Sequence, residues 1–271
     1  MTKNILDNPI GIFDSGIGGL TVTAAIVKQL PKENIIYFGD TSHMPYGDKS
    51  AAAIQAYSIK IANLLLEQKC KLILIACYSA TSTAYELVKE YVGTKAVVMN
   101  VIDPMMHYLH ENHADQRIGL IGTRHTVNSN VYKKKIDKLN RGIILTSFAT
   151  NLLASAIEEF GNHPVIDSVL KEYLSHPTLT NLDSLILACT HYPVVKEKIS
   201  SFYNNQITVI DPSDIIAQAV YTRLTEDKLL NNKNPPGSKH FYLSDYTETF
   251  ATKSKIFFDD TIHLEHYPLF E

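Results

Sequence analysis

Ser184-Leu-Ile-Leu-Ala-Cys-Thr-His-Tyr-Pro193 runs four apolar residues from Leu185 into Cys189, Thr190 and His191, with a proline close behind. A short continuous apolar run of this kind reads as a strand buried on both faces, as in a parallel sheet. Pro193 suits the first turn of a following helix, where its missing N–H costs nothing. Cys189, Thr190 and His191 therefore fall where a strand's C-terminal end meets a helix N-terminus, the place where open α/β sheets bind ligands. Leu72-Ile-Leu-Ile-Ala-Cys-Tyr-Ser-Ala-Thr81 repeats the pattern earlier in the chain. Two cysteines in matched settings suit a reaction that needs one base and one acid.

Working outward, Ile10-Gly-Ile-Phe-Asp-Ser-Gly-Ile-Gly-Gly-Leu20 reads as strand, acidic turn and glycine loop, with helical periodicity through Val22, Ile26 and Leu30. Ile35–Phe38 is a strand, Gly39–Asp48 a loop of turn formers, and Ala51–Gln68 an amphipathic helix. Ala80–Tyr91 is a helix and Ala96–Val101 a strand. Beyond Asp103-Pro104 the pattern restarts. Met105–His110 reads as helix, and Arg117–Val127 repeats strand, glycine and threonine turn. Gly119 stands to Gly11 at nearly the offset of Cys189 to Cys77, which implies two similar α/β halves. The expected domains are 8–101 plus 213–271, carrying Asp14 and Cys77, and 102–212, carrying Cys189 and His191. A polar linker, Asn231–Ser238, precedes a closing strand over His240–Ser244 and a short helix, placed back on the first half.

With 271 residues, 45% of them hydrophobic, the chain can bury a core in each half. A net charge of −3 gives no footprint for nucleic acid, whose binders are strongly basic. No apolar run approaches a membrane span, and Met1-Thr-Lys-Asn4 opens no signal-peptide core before Gly11. Three cysteines make no disulfide framework and suit a reducing compartment, so a cytoplasmic protein is expected.

Cys70, between two lysines and outside any motif, reads as a small buried hydrophobe. Cys77 and Cys189 differ because each sits at a strand-to-helix junction, where a helix N-terminus makes thiolate more available. Asp14 and Ser15 end the first strand and could meet a ligand or simply form an Asx turn or helix cap. Gly16, Gly18 and Gly19 lack the dinucleotide fingerprint and read as room for close approach to a ligand's charged group. His191 could be a core histidine or a ligand, but Cys189-x-His191 has no partner pair at zinc spacing. Two opposed thiols can invert a carbon beside a carboxylate, one removing a proton and the other supplying one, with Asp14 and His191 as neighbours that set their protonation.

The residues resemble the cofactor-independent glutamate racemases of the aspartate/glutamate racemase superfamily. Asp14-Ser-Gly-Ile-Gly-Gly-Leu20, Pro45-Tyr-Gly47, Gly122-Thr-Arg-His-Thr-Val127 with Ser129 and Tyr132, and Cys189-Thr-His-Tyr-Pro193 match that family's motifs in order over nearly the whole chain. The resemblance implies two three-layer α/β domains with mostly parallel sheets, related by a pseudo-two-fold and facing each other across a cleft. It implies Cys77 and Cys189 as bases, with Asp14, His191 and Glu158 assisting, although Glu158 also reads as a solvated helix residue. The implied substrate-binding set is Asp14, Ser15, Pro45, Tyr46, Gly47, Tyr78, Ser79, Thr123, Thr190 and His191. No metal or cofactor is expected. The expected activity interconverts L- and D-glutamate for peptidoglycan and hence cell shape, in a homodimer.

Two departures stand out. The family's Cys-Asn-Thr-Ala is here Cys77-Tyr-Ser-Ala80, and the glycine usual before the second cysteine is Ala188. Tyr78 exchanges an amide for a larger phenol, so aspartate or another amino acid is the alternative substrate. A lapsed, metabolite-binding relative is a third reading, against which both retained cysteines argue.

Overall fold

The computed structural model describes residues 5–258 and 262–270, apart from Asn162. In chain order the first half runs β1 (Ile10–Asp14), α1 (Leu20–Gln29), β2 (Ile35–Gly39), α2 (Ala51–Glu67), β3 (Leu72–Ile75), α3 (Tyr78–Val92) and β4 (Val97–Asn100). The second runs α4 (Asp103–Asn112), β5 (Arg117–Gly122), α5 (Arg124–Asn128), α6 (Val131–Leu139), β6 (Ile144–Ala149) and α7 (Leu153–Phe160). It continues with α8 (Val165–Leu174), β7 (Ser184–Ala188), α9 (Lys196–Phe202) and β8 (Thr208–Ile210). The chain closes with α10 (Ser213–Glu226), β9 (Lys239–Leu243), α11 (Glu248–Ser254) and β10 (Leu264–His266).

Two sheets result, ordered β10-β9-β2-β1-β3-β4 and β6-β5-β7-β8. Every pairing is parallel, in an α/β fold. The order β2-β1-β3-β4 recurs as β6-β5-β7-β8, so β3 and β7 occupy equivalent places. Each of these strands continues through an alanine into a cysteine. The closing strands β9 and β10 extend the first sheet beyond β2.

Alternation along the first sheet sorts its side chains into two cores. Ile10, Ile12, Ile35, Tyr37, Leu72 and Leu74 join a cluster that continues into the second half. Phe13, Ile36, Phe38, Ile73 and Ile75 pack on the opposite face with Ile54, Ile61 and Leu65 of α2. Both faces are covered, which is why β1, β2 and β3 are buried at every position. Among the described residues no helix is long and apolar enough to cross a membrane.

The sequence does not mark β6, β8, β10, α6 or α8. Five of the six β6 residues are half-buried and β8 and β10 have three residues each, too few for a period to show. Helix α3 also begins two residues before the expected Ala80, because Cys77 itself takes the N-cap position.

At the opposite end of the first sheet from Cys77 lies a buried ion pair, Lys71 Nζ to Glu33 Oε2 at 2.6 Å. Lys71 Nζ also donates to the carbonyls of Leu6 and Leu229, each at 2.8 Å, while Asn231 N donates to Glu33 Oε1 at 2.7 Å. One cluster thus staples the start of the chain and the segment leading to β9 onto β3. Glu33→Gln should cost about 3–5 kcal/mol in urea unfolding, because it leaves a buried lysine without its counter-charge. Lys71→Met combined with Glu33→Leu should recover only part, since two carbonyls and one N–H then lose their partners.

Candidate active site

Asp14 ends β1 and its carboxylate turns back onto the start of α1, where Gly19 N donates to Oδ2 at 2.8 Å. It is fully buried; burial raises its pKa, against the charge of His191 and nearby backbone N–H groups, which lower it. The Asx-like contact and a place beside the reactive groups therefore coexist. Tyr37 on β2 braces the same turn, its hydroxyl donating to the Gly16 carbonyl at 2.6 Å.

Cys77 caps α3: Ala80 N donates to its sulfur at 3.4 Å, and the thiol donates to Ser15 Oγ at 3.6 Å. Burial, with the Asp14 charge second, pushes the thiol up to about 12, so it is protonated at neutral pH despite the helix terminus. Cys189 follows β7 at the equivalent junction, its sulfur 3.8 Å from His191 Nδ1. His191 Nε2 lies 3.0 Å from Glu158 Oε2. Burial alone would lower the imidazole, but the bonds to Cys189 and Glu158 outweigh it and push His191 up to about 10. A protonated ring therefore spans sulfur and carboxylate, donating to both. Glu158 is buried on α7 and bonded to His191 rather than solvated.

Cys77 and Cys189 line one cavity of about 50 Å³. Ser15, Tyr46, Gly47, Tyr78, Ser79, Thr123, Thr190 and His191 line it too, as does Pro45. Asp14 and Glu158 stand behind that wall. Glu158 instead lines an adjoining cavity of about 200 Å³ that shares Ser15, Pro45 and His191 with the first. Asp48, Arg124, Asn151, Ala154 and Ser155 also line the smaller cavity and were not singled out by the sequence. Two of the three glycines of the first loop, Gly18 and Gly19, are used differently from expectation. A Cβ on Gly18 would lie 2.4 Å from the His191 ring, and one on Gly19 2.5 Å from the Asp14 Cβ. Their room is taken by the protein's own side chains, not kept for a ligand.

Three hydrogen bonds span the cleft around this cavity. Thr21 Oγ1 donates to the Thr190 carbonyl at 2.9 Å, Ser79 and Thr123 share a hydroxyl bond at 2.9 Å, and His125 Nε2 donates to the Lys49 carbonyl. Tyr46 OH donates to the buried Asp40 Oδ2 at 2.6 Å, which fixes the Pro45-Tyr46-Gly47 wall from behind. The Asp40 carboxylate also takes bonds from His43 Nδ1 and Ser244 Oγ, both at 2.8 Å. His43 and Tyr46 are local partners of Asp40, but Ser244 arrives from the end of β9, and no local pattern announces it. Tyr78 is buried and belongs to the cluster that continues into the second half. Tyr132, Asp211 and Cys189 face its phenol, whose pKa burial raises first and these groups raise further. Cys70 is also buried, pushed up to about 12 by burial, and lines none of this.

Residues 10–220 match the family model for Asp/Glu/hydantoin racemase. A glutamate racemase of Chlorobaculum parvum is 37% identical over 251 residues, 92% of each chain. The structure is similar to that of a Francisella tularensis glutamate racemase in complex with D-glutamate, with TM-score 0.88 and 38% identity over 98% of this chain and 99% of that one. A glutamate racemase isoform of Bacillus anthracis matches with TM-score 0.90 and 28% identity, over 96% and 97%.

A histidine whose folded pKa lies above its ordinary 6.5 stabilises the fold fully below that pH, and the contribution drains away as pH rises through about 10. Urea unfolding from pH 6.5 to 10 should therefore show a stability loss in the wild type that His191→Gln lacks. Tyr78→Asn should cost about 2–4 kcal/mol, by emptying space in the shared core, and Tyr78→Phe should cost much less. Thermal unfolding of both variants checks the difference.

Proposed function

The chain belongs to the Asp/Glu/hydantoin racemase family and is an isomerase, and from that premise we propose that it interconverts L- and D-glutamate by a two-thiol proton transfer. The observation that carries the reading is that Cys77 and Cys189 end equivalent strands of the two sheets and line one cavity. A Cα placed between them meets one sulfur on each face. With L-glutamate, the Cys189 thiolate takes the Cα proton, and the electron pair delocalises into the α-carboxylate. The Cys77 thiol then gives its proton to the opposite face, leaving Cys77 as thiolate and Cys189 as thiol. Reaction from the D-side runs the same steps in reverse.

The surroundings suit those roles. Cys77, pushed up to about 12, is the thiol that the L-to-D direction needs. His191, protonated and tied to Glu158, stabilises a thiolate at Cys189 as the counter-ion 3.8 Å away. Asp14 is placed to exchange a proton at the other thiol once the substrate's ammonium enters. Ser15, Pro45, Tyr46, Gly47, Tyr78, Ser79, Thr123, Thr190 and His191 form the wall that receives the substrate. The same reading takes 8–101 with 213–271 and 102–212 as the two domains. It places the enzyme in the cytoplasm as a homodimer that supplies D-glutamate for peptidoglycan. Aspartate is the second reading, favoured by Tyr78 in the cavity wall.

The test is racemisation of L- and D-glutamate and aspartate in D₂O without added cofactor, read by chiral analysis and deuterium at Cα. Cys77→Ser and Cys189→Ser should each lower racemisation at least about a hundredfold, since a hydroxyl is a poor base at neutral pH. Each should still eliminate HX from one enantiomer of a β-halogenated analogue, a reaction that needs a single base. Cys70→Ser should cost about 1 kcal/mol of stability alone. Equal loss of elimination from both enantiomers in both variants would overturn the two-base assignment, and preference for aspartate would overturn the substrate.

A further inference from the structure

Glutamate brings two carboxylates and one ammonium, a net negative charge, to a cavity whose own reactive end is already rich in carboxylates. Asp14 and Glu158 stand behind the thiols, and His191 is committed to Cys189 and Glu158. Asp48 lines the cavity as well. The α-carboxylate and ammonium must lie near the thiols, because Cα does. The distal carboxylate, two methylenes away, then needs a cation elsewhere in the wall.

One side chain in that wall has the right chemistry. Arg124 lines the cavity and is solvent-exposed, and among the described residues no acidic group lies within ion-pair distance of it. Lys253, a cation lining the adjoining cavity, is held by Glu159 at 2.6 Å. The backbone at Arg124 is anchored by its neighbours on both sides. Thr123 bonds to Ser79 across the cleft, and His125 bonds to the Lys49 carbonyl. An unpaired guanidinium carried on the cavity wall between two cleft-spanning residues offers the planar fork that binds a carboxylate through two N–H groups.

We propose that Arg124 is the residue that selects for an acidic amino acid, by pairing with the distal carboxylate of the substrate. The proposal rests on the racemase reading above and deepens it. Arg124 touches no reacting atom, so its removal raises KM and spares the chemistry.

Arg124→Ala and Arg124→Lys are compared with wild type on L- and D-glutamate, on aspartate, and on β-chloro-D-alanine, which loses HCl and has no distal carboxylate. Arg124→Ala should raise KM for glutamate about tenfold or more, with kcat within about threefold. It should leave elimination from β-chloro-D-alanine unchanged, and Arg124→Lys should recover part of the loss. Wild-type kcat/KM for glutamate should fall with added salt more steeply than that of Arg124→Ala. An unchanged KM for glutamate, or an equal loss on β-chloro-D-alanine, overturns the assignment. A wild type active on aspartate and not glutamate, with the KM effect of Arg124→Ala on aspartate alone, would overturn the glutamate reading and sustain Arg124. A wild type equally active on neutral amino acids would overturn Arg124 instead.

Discussion

The space left by the missing side chain of Gly18 is filled by the ring of His191, and that approach holds the two halves in working register. Any side chain at position 18 would push the Cys189–His191 turn away from the start of α1. The same contact zone carries the Thr21 bond to the carbonyl of Thr190, the residue after Cys189. With the turn seated there, Cys77 and Cys189 share a cavity. The His191–Glu158 pair then serves as a fixed charge beside one sulfur, while Asp14 stands near the other. The arrangement of the two sulfurs thus depends on a steric vacancy in one half that matches an imidazole in the other.

Much of this was legible in the sequence because the site sits where strand, turn and helix are most regular. The apolar runs before Cys77 and Cys189 mark buried parallel strands, and the residues after them mark the cleft. What escaped was whatever depends on distant segments. Strand β6 is half-buried along most of its length and β8 has three residues, so neither shows a period. Asp40 reads as one polar residue in a polar loop, and only the return of β9 gives it Ser244 as a partner. Arg124 reads as part of a turn motif until the halves close and bring it to the cavity. Glu158 looks like an exposed helix residue because its partner lies on another strand's end, with no local signal for it.

Tyr78 shows how one residue serves two levels of organisation. It follows directly on the Cys77 cap, where the family's asparagine stands, yet its ring joins the core that continues into the second half. Its bulk reduces the space beside the thiols while adding apolar surface between the halves. A change there alters cavity shape and inter-half packing together, so substrate effects at this position are inseparable from closure.

The small cavity has a thermodynamic reading of its own. At about 50 Å³ it has room for little more than a water or two, and three hydrogen bonds hold it shut. Admitting an amino acid therefore takes an arrangement with the halves further apart. Apparent affinity is then the intrinsic affinity scaled by the fraction in that arrangement. Substitutions at Thr21 or His125, neither of which lines the cavity, act on this fraction. Weakening either bond enlarges the receptive fraction and makes the closed arrangement correspondingly harder to regain.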